Sequence, residues 1–234
     1  MGVLLEVAVA HERDVDGALE GGADRLHVLR PSGDGHGLSP EIATVSAVCR
    51  DAEVPVFVLL RLNESWTTTG GELTRLVGLA EDYLAVGAQG VSFGFLDADL
   101  EIDTEVCGHL AAALPSVPWT FHEAVDDTLD PRRAWRAVLR LPELVNVRSA
   151  GSPRGMDEGY DDLQATADAD PAVAAVLMPG GGLRAEQVPW LVRAGVRTFH
   201  LDEQLRPGGS RKAYVDAALT RSWRLLLDDA MERI

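Results

Sequence analysis

The stretch Thr120-Phe121-His122-Glu123-Ala124-Val125-Asp126 brings an imidazole and two carboxylates together. It follows the apolar Val117-Pro118-Trp119 and precedes Pro131 and a helical pattern, so it reads as the end of a buried strand and the loop behind it. In a parallel α/β protein that end of the sheet is where ligands bind. Imidazole and carboxylate groups within reach of a ligand can move protons. A core histidine beside a solvated acidic turn would look the same on this stretch alone, so the reading depends on what else converges there.

Side chains alternate faces along a strand, and that alternation gathers further candidates. The first strand puts Glu6 on one face with Leu4 and Ala8. The second puts Arg25 with His27, and the third Arg61 with Phe57 and Leu59. Later strands pair Thr120 with His122, Asn146 with Arg148, and Thr198 with His200. The opposite faces are apolar: Val56, Val58 and Leu60; Trp119 and Phe121; Val145 and Val147. In a barrel the apolar set faces the covering helices and the polar set faces the axis. Isolated polar groups there would cost a few kcal/mol each, roughly, so they must neutralise one another near an open mouth. Glu6, His27, Arg61, His122, Arg148 and His200 are therefore expected to line a polar pocket. Asp97, in the loop after the fourth strand, could reach it too, whereas Asp103 fits a helix cap better. Pro179-Gly180-Gly181-Gly182 after the seventh strand could offer backbone N–H groups to an anion or form a plain turn.

The elements that carry these residues alternate. Strands are expected at Val3 to Val9, Arg25 to Leu29, Val56 to Leu60, Gly90 to Phe93, Trp119 to Phe121, Leu144 to Val147, Val173 to Met178 and Val196 to His200. Eight strands in this chain give about 29 residues per unit, which suits a compact TIM-type (β/α)8 barrel in one domain spanning 1–234, with a doubly wound sheet as the fallback. Gly22-Ala23-Asp24, Gly87-Ala88-Gln89 and Gly195-Val196-Arg197 repeat one pattern of a helix-ending glycine, a short turn and a strand. Ser39-Pro40 reads as an N-cap with proline at the first helical position. The glycine-rich loop 31–37 could cover a site.

Bulk properties narrow the classes. The 234 residues are 46% hydrophobic, with no apolar run near the roughly 20 residues that span a membrane. The start lacks the pattern of a signal peptide, and a cytoplasmic location without membrane association is expected. The net charge of −16 opposes nucleic-acid binding, for no basic patch offsets it. Cys49 and Cys107 lie inside separate helical patterns and form no metal-spaced motif. Lys212 is the only lysine, expected at the start of the last helix, which sets Schiff-base chemistry and a P-loop aside.

Collinear pieces of the chain resemble the CutC-type proteins, a family named for copper homeostasis. They are Leu5-Glu6, Gly22-Ala23-Asp24-Arg25, Gly37-Leu38-Ser39-Pro40, Arg61, Gly71-Glu72, Gly94 with Leu96-Asp97, and Asp103. Thr120-Phe121-His122 with Ala124 and Asp126, Ser149 with Gly151, and Gly182-Leu183-Arg184-Ala185-Glu186 continue the series. The resemblance implies a TIM-type barrel, a cytoplasmic location and a homodimer or higher homo-oligomer. It also implies copper as a cofactor, through cysteines that family members often carry at the ends of the first two strands. Here those strands read Val7-Ala8-Val9-Ala10 and His27-Val28-Leu29, without a thiol. The family glutamate of the second strand is His27, the usual Phe-His-Arg is Phe121-His122-Glu123, and the eighth strand ends His200-Leu201-Asp202-Glu203.

Three functions follow as expectations. The first is an acid/base enzyme of the lyase, isomerase or epimerase type on a small anionic metabolite. Glu6, His122 and Asp126 would be catalytic, with Arg25, His27, Arg61, Asp97, Arg148, Gly181, Gly182 and His200 holding the substrate. The second is a divalent-metal or copper protein using Glu6, His27, His122, His200 and Asp126. The third is a non-catalytic barrel acting through protein partners.

Overall fold

A computed structural model describes residues 2–233. In chain order it runs β1 (Leu4–Val9), α1 (Arg13–Glu20), β2 (Arg25–Val28), α2 (Ile42–Asp51), β3 (Val56–Leu59), α3 (Gly70–Ala85), β4 (Gly90–Phe93) and α4 (Thr104–Ala113). It continues β5 (Trp119–Phe121), α5 (Pro131–Val138), β6 (Leu144–Ser149), α6 (Met156–Ala169), α7 (Pro171–Val176), β7 (Leu177–Pro179), α8 (Val188–Arg193), β8 (Thr198–Leu201) and α9 (Ala217–Glu232). All ladders are parallel, and the strands follow the order β7-β6-β5-β4-β3-β2-β1-β8. β7 lies against β8 without a ladder, so the sheet curls into a nearly closed TIM-type barrel with the helices outside.

The two-residue period explains the layering. Val7, Val9, Val56, Val58, Leu60, Phe93, Trp119, Phe121, Val147 and Phe199 are buried beneath the helices. Phe93 stacks on Trp119 with ring centroids 4.0 Å apart. In β6 the register slips by one residue, because Trp119 pairs with Leu144 but Thr120 with Asn146. The extra residue, Val145, is 37% exposed, and the bulge keeps Asn146 and Arg148 inward. The repeated glycines end their helices with φ of 93° at Gly22, 115° at Gly87 and 106° at Gly195, a region costly for other residues.

Three local expectations need correction. Val173–Val176 is helical, not strand, since Asp170 accepts from the Ala172 N–H and Pro171 occupies the first turn. That cap, with the helix-favouring Ala174 and Ala175, outweighs the β-branched Val173 and Val176. Ser39-Pro40 does not begin a helix: α2 starts at Ile42, and the Ser39 hydroxyl accepts instead from the Arg61 N–H at 2.8 Å. Lys212 is exposed in the loop before α9 and not at its start. Cys49 and Cys107 do lie within helices and are free thiols. No helix among the described residues is long and apolar enough to cross a membrane.

Helix α6 docks through Gly159, where a Cβ would sit 2.2 Å from the Ala150 carbonyl oxygen and 2.4 Å from the Gly151 carbonyl carbon. Gly159→Ala is expected to lower the urea midpoint, by about 1–3 kcal/mol of stability. Gly78→Ala on α3, where a Cβ meets nothing within 4 Å, should raise it by up to about 1 kcal/mol through helix propensity.

Candidate functional site

The inward polar residues meet in two layers. In the lower one, the Arg25 Nε of β2 donates to Glu6 Oε2 of β1 at 2.5 Å. Its Nη2 donates to Asn146 Oδ1 at 3.0 Å and approaches Met178 Sδ at 3.2 Å, and the guanidinium lies 4.3 Å from the Phe57 ring centre. The second Glu6 oxygen accepts from His200 Nδ1 at 2.7 Å. Burial would raise the Glu6 carboxyl, but Arg25 and His200 outweigh it and hold it well below the usual carboxylate range.

Arg148 of β6 organises the upper layer. Its Nη1 lies 3.1 Å from His27 Nδ1 and 3.2 Å from His200 Nε2, while its Nη2 donates to Glu123 Oε2 at 2.6 Å. A guanidinium only donates, so both imidazole nitrogens facing it present lone pairs. The remaining ring N–H groups then point to Ser92 Oγ, 2.6 Å from His27 Nε2, and to Glu6. Burial, and then the Arg148 charge, drive the His27 pKa well below the ordinary imidazole value, in keeping with that neutral tautomer. Gly180, just after β7, leaves room for this layer, since a Cβ there would come within 3.3 Å of Arg148 Cγ and 3.4 Å of His200 Cδ2.

Beyond β5 the chain forms a 3-10 turn, Glu123–Asp127, whose start is capped by His122 Nδ1 accepting from the Ala124 N–H. Side chains three apart eclipse in such a turn, so Glu123 and Asp126 face one way. Burial would raise Glu123, but the Arg148 charge prevails and holds it at about 2. Asp126 accepts from Ser149 Oγ at 2.5 Å, the Ala150 N–H at 2.7 Å and the Gly151 N–H at 3.2 Å. Burial nevertheless pushes it up to about 7, helped by the neighbouring Glu123.

These groups form the base of a cavity of about 800 Å³ at the C-terminal mouth. Arg148, His200, Glu123 and Asp126 line it, with Gly181, Gly182, Ser152, Arg154 and Arg184 along one wall and Asp34, His36, Arg206 and Arg211 along another. Gly181 and Gly182 have φ of 70° and 97° and are exposed. A 3-10 turn at Ala185–Gln187 follows them and leads into α8. Arg206 is fully engaged with Asp14, Asp202 and the Ala8 and Ala213 carbonyls, whereas Arg154 and Arg184 make only exposed pairs with carboxylates.

Of the residues expected from sequence, Arg148, His200, Asp126, Gly181 and Gly182 line the cavity, and Glu6, Arg25 and His27 support it from below. Arg61 and His122 stand aside. The Arg61 Nη atoms donate to the Gly37 and Glu64 carbonyls and to Asp34, and its guanidinium lies 4.1 Å from the Trp66 ring centre. That indole lies 5.0 Å from the His122 ring and 4.9 Å from His36, and its Nε1 donates to Asp127 at 2.8 Å. Trp66 thus covers His122, whose pKa burial depresses to about 3. Asp97 does not line the cavity; it accepts from the Asp99 and Glu101 N–H groups and shapes its own loop. Asp103 caps α4 through the Val106 N–H. The loop 31–37 does border the cavity, pinned by Arg61 and by Arg211 on the Gly35 carbonyl. Glu123, His36, Arg154 and Arg184 were not among the expected ligand-contacting residues. Glu123 carried a signal as part of the acid-rich turn after β5, His36 through the glycine-rich loop 31–37 and Arg184 through the motif Gly182-Leu183-Arg184, whereas Arg154 carried none.

The depressed carboxyls set an acid limit. Glu123 titrates near 2 in the fold against an ordinary 4.5, so its stabilisation is complete above 4.5 and fades as pH falls towards 2. Urea midpoints of the parent should decline across that window, and Glu123→Gln should show a shallower decline from a lower starting stability.

The family model for the CutC family matches residues 3–205. A CutC family protein from Xylella fastidiosa is 32% identical over 198 residues, covering 84% of this chain and 73% of that one. The human copper homeostasis protein cutC homolog is 30% identical over 204 residues, covering 85% and 72%. The crystal structure of a CutC protein from Streptococcus agalactiae superposes with a TM-score of 0.73 at 19% identity, covering 85% of this chain and 97% of that chain. That likeness carries the barrel fold, and with the sequence matches it leads to one conclusion: the chain belongs to the CutC family.

Proposed function

We propose that this CutC-family barrel binds a small anionic metabolite at its C-terminal mouth and moves a proton on it. The observation that carries the reading is the convergence of Arg148, His200, Glu123 and Asp126 at the base of the 800 Å³ cavity. Arg148 offers a fixed positive charge to a carboxylate or phosphate. The Gly181-Gly182 turn, Arg154 and Arg184 offer a second anchor at the rim. Asp126, titrating at about 7, is poised to take or give a proton at neutral pH. His200 turns Nε2 to Arg148 because Glu6 holds its Nδ1–H, which makes Glu6 a positioning residue. Isomerisation, epimerisation and a lysine-independent cleavage share this requirement for acid and base.

Relatives bear the name of copper homeostasis, and the donors here do not fit copper(I). That ion favours thiolate and thioether ligands. Cys107 is buried in α4 with its thiol pushed up to about 12 by burial, and Cys49 sits in α2. Met178 sulfur faces the Arg25 guanidinium.

A thermal-shift screen of phosphorylated and carboxylated metabolites tests the reading. A true ligand at 100 times its Kd should stabilise the parent by about 2.7 kcal/mol. Arg154→Ser with Arg184→Ser should lose most of that gain while melting like the parent without ligand. Once a ligand is found, Asp126→Asn should still bind it and turn it over about 10²- to 10⁴-fold more slowly. Unaltered turnover in that variant would remove Asp126 from the chemistry.

A further inference from the structure

Two imidazole lone pairs, from His27 Nδ1 and His200 Nε2, and one carboxylate oxygen, Glu123 Oε2, point at a single cation, at 3.1, 3.2 and 2.6 Å from its nitrogens. Each imidazole is held from behind, His200 by Glu6 and His27 by Ser92. Metal-binding histidines are built in this way, with one ring nitrogen on the ion and the other N–H on a carboxylate or another acceptor that fixes tautomer and orientation. Glu6, His27 and His200 also bring donor atoms within 4.8 Å of one another. The cation at the centre, however, belongs to the chain itself.

We infer that Arg148 is the resident cation of a two-histidine, one-carboxylate nest, where its guanidinium keeps divalent metal ions out. Without that side chain, His27, His200 and Glu123 become a site for Zn²⁺ or Cu²⁺. The lone pairs a metal would need are already engaged by N–H donors. A second positive charge at the same place would meet direct repulsion, from Arg148 and from Arg25 in the layer below. An arginine cannot give up its proton to vacate the position, as a lysine can. The donors that would be released, imidazole and carboxylate, suit Zn²⁺ and Cu²⁺ and need no thiol. This inference does not depend on the proposed ligand: it concerns which cation the nest holds.

The full chain is loaded with Zn²⁺, desalted and assayed for bound metal, and Co²⁺ absorption in the visible reports ligand geometry. The parent and its His200→Ala variant should take up equal, non-specific amounts. Arg148→Ala or Arg148→Gln, shown to be folded by circular dichroism and melting, should gain a single further equivalent of Zn²⁺ and a Co²⁺ band. Adding His200→Ala should abolish that gain, and adding Ser92→Ala should weaken it by about 10- to 100-fold. The inference falls if the parent holds stoichiometric metal that His200→Ala removes. It falls equally if the folded Arg148 variants stay metal-free. Should neither Arg148 variant fold, the comparison of parent with His200→Ala decides whether the nest excludes metal.

Discussion

A guanidinium buried at the floor of a barrel mouth needs acceptors, and His27, His200 and Glu123 take the Nη hydrogens of Arg148 while its Nε–H is left without a partner. Charges are costly to bury, and breaking one partner of such a set leaves the other uncompensated. The arrangement therefore fixes more than a pocket. It sets both imidazole tautomers, draws Glu123 inward from the turn after β5, and through His200 is joined to Glu6 and Arg25 below. Residues from β1, β2, β4, β6 and β8 are thus linked across the axis by polar contacts. An apolar filling would give packing there, but no fixed donors or acceptors at the open end.

The same demand separates groups that resemble one another in sequence. Arg61 and Arg148 both stand on inward positions near strand ends. Arg61 turns towards the loops, where two carbonyls and Asp34 take its hydrogens, and Arg148 turns towards the axis. One arginine fastens the covering segments and the other provides the charge beneath the cavity. His122 and His200 part in the same way. His122 lies under the Trp66 indole with its Nδ1 on a backbone N–H, while His200 lines the open space.

The barrel and its polar interior were legible because alternation along a strand is geometric. Once β1, β2, β6 and β8 were placed, Glu6, Arg25, His27, Arg148 and His200 had to share the inside. Which of them would meet solvent was not legible, for that depends on loops. The position of Trp66 over His122 arises from a segment 56 residues upstream with no periodic pattern of its own. Glu123 faces the cavity only because the chain tightens into a 3-10 turn, where spacing by three replaces alternation. Val173–Val176 shows the limit of composition: two valines around two alanines become helical behind an Asp-Pro cap. The resemblance in motifs, by contrast, survived such local errors because it rests on identities in order along the chain.

The seam between β7 and β8 gives the cylinder a direction of compliance. Every other junction is laced by backbone hydrogen bonds, whereas this one has no ladder and is bridged by side chains, Arg148 with His200 and Gln204 with the Leu183 carbonyl. Opening a laced junction breaks a ladder; parting this one disturbs only side-chain contacts, so low-energy excursions concentrate here. Gly180 and His200 flank the seam. The wall that bears the glycine turn is therefore the side of the cylinder that can shift most easily, with the Arg148–His200 contact as its tether.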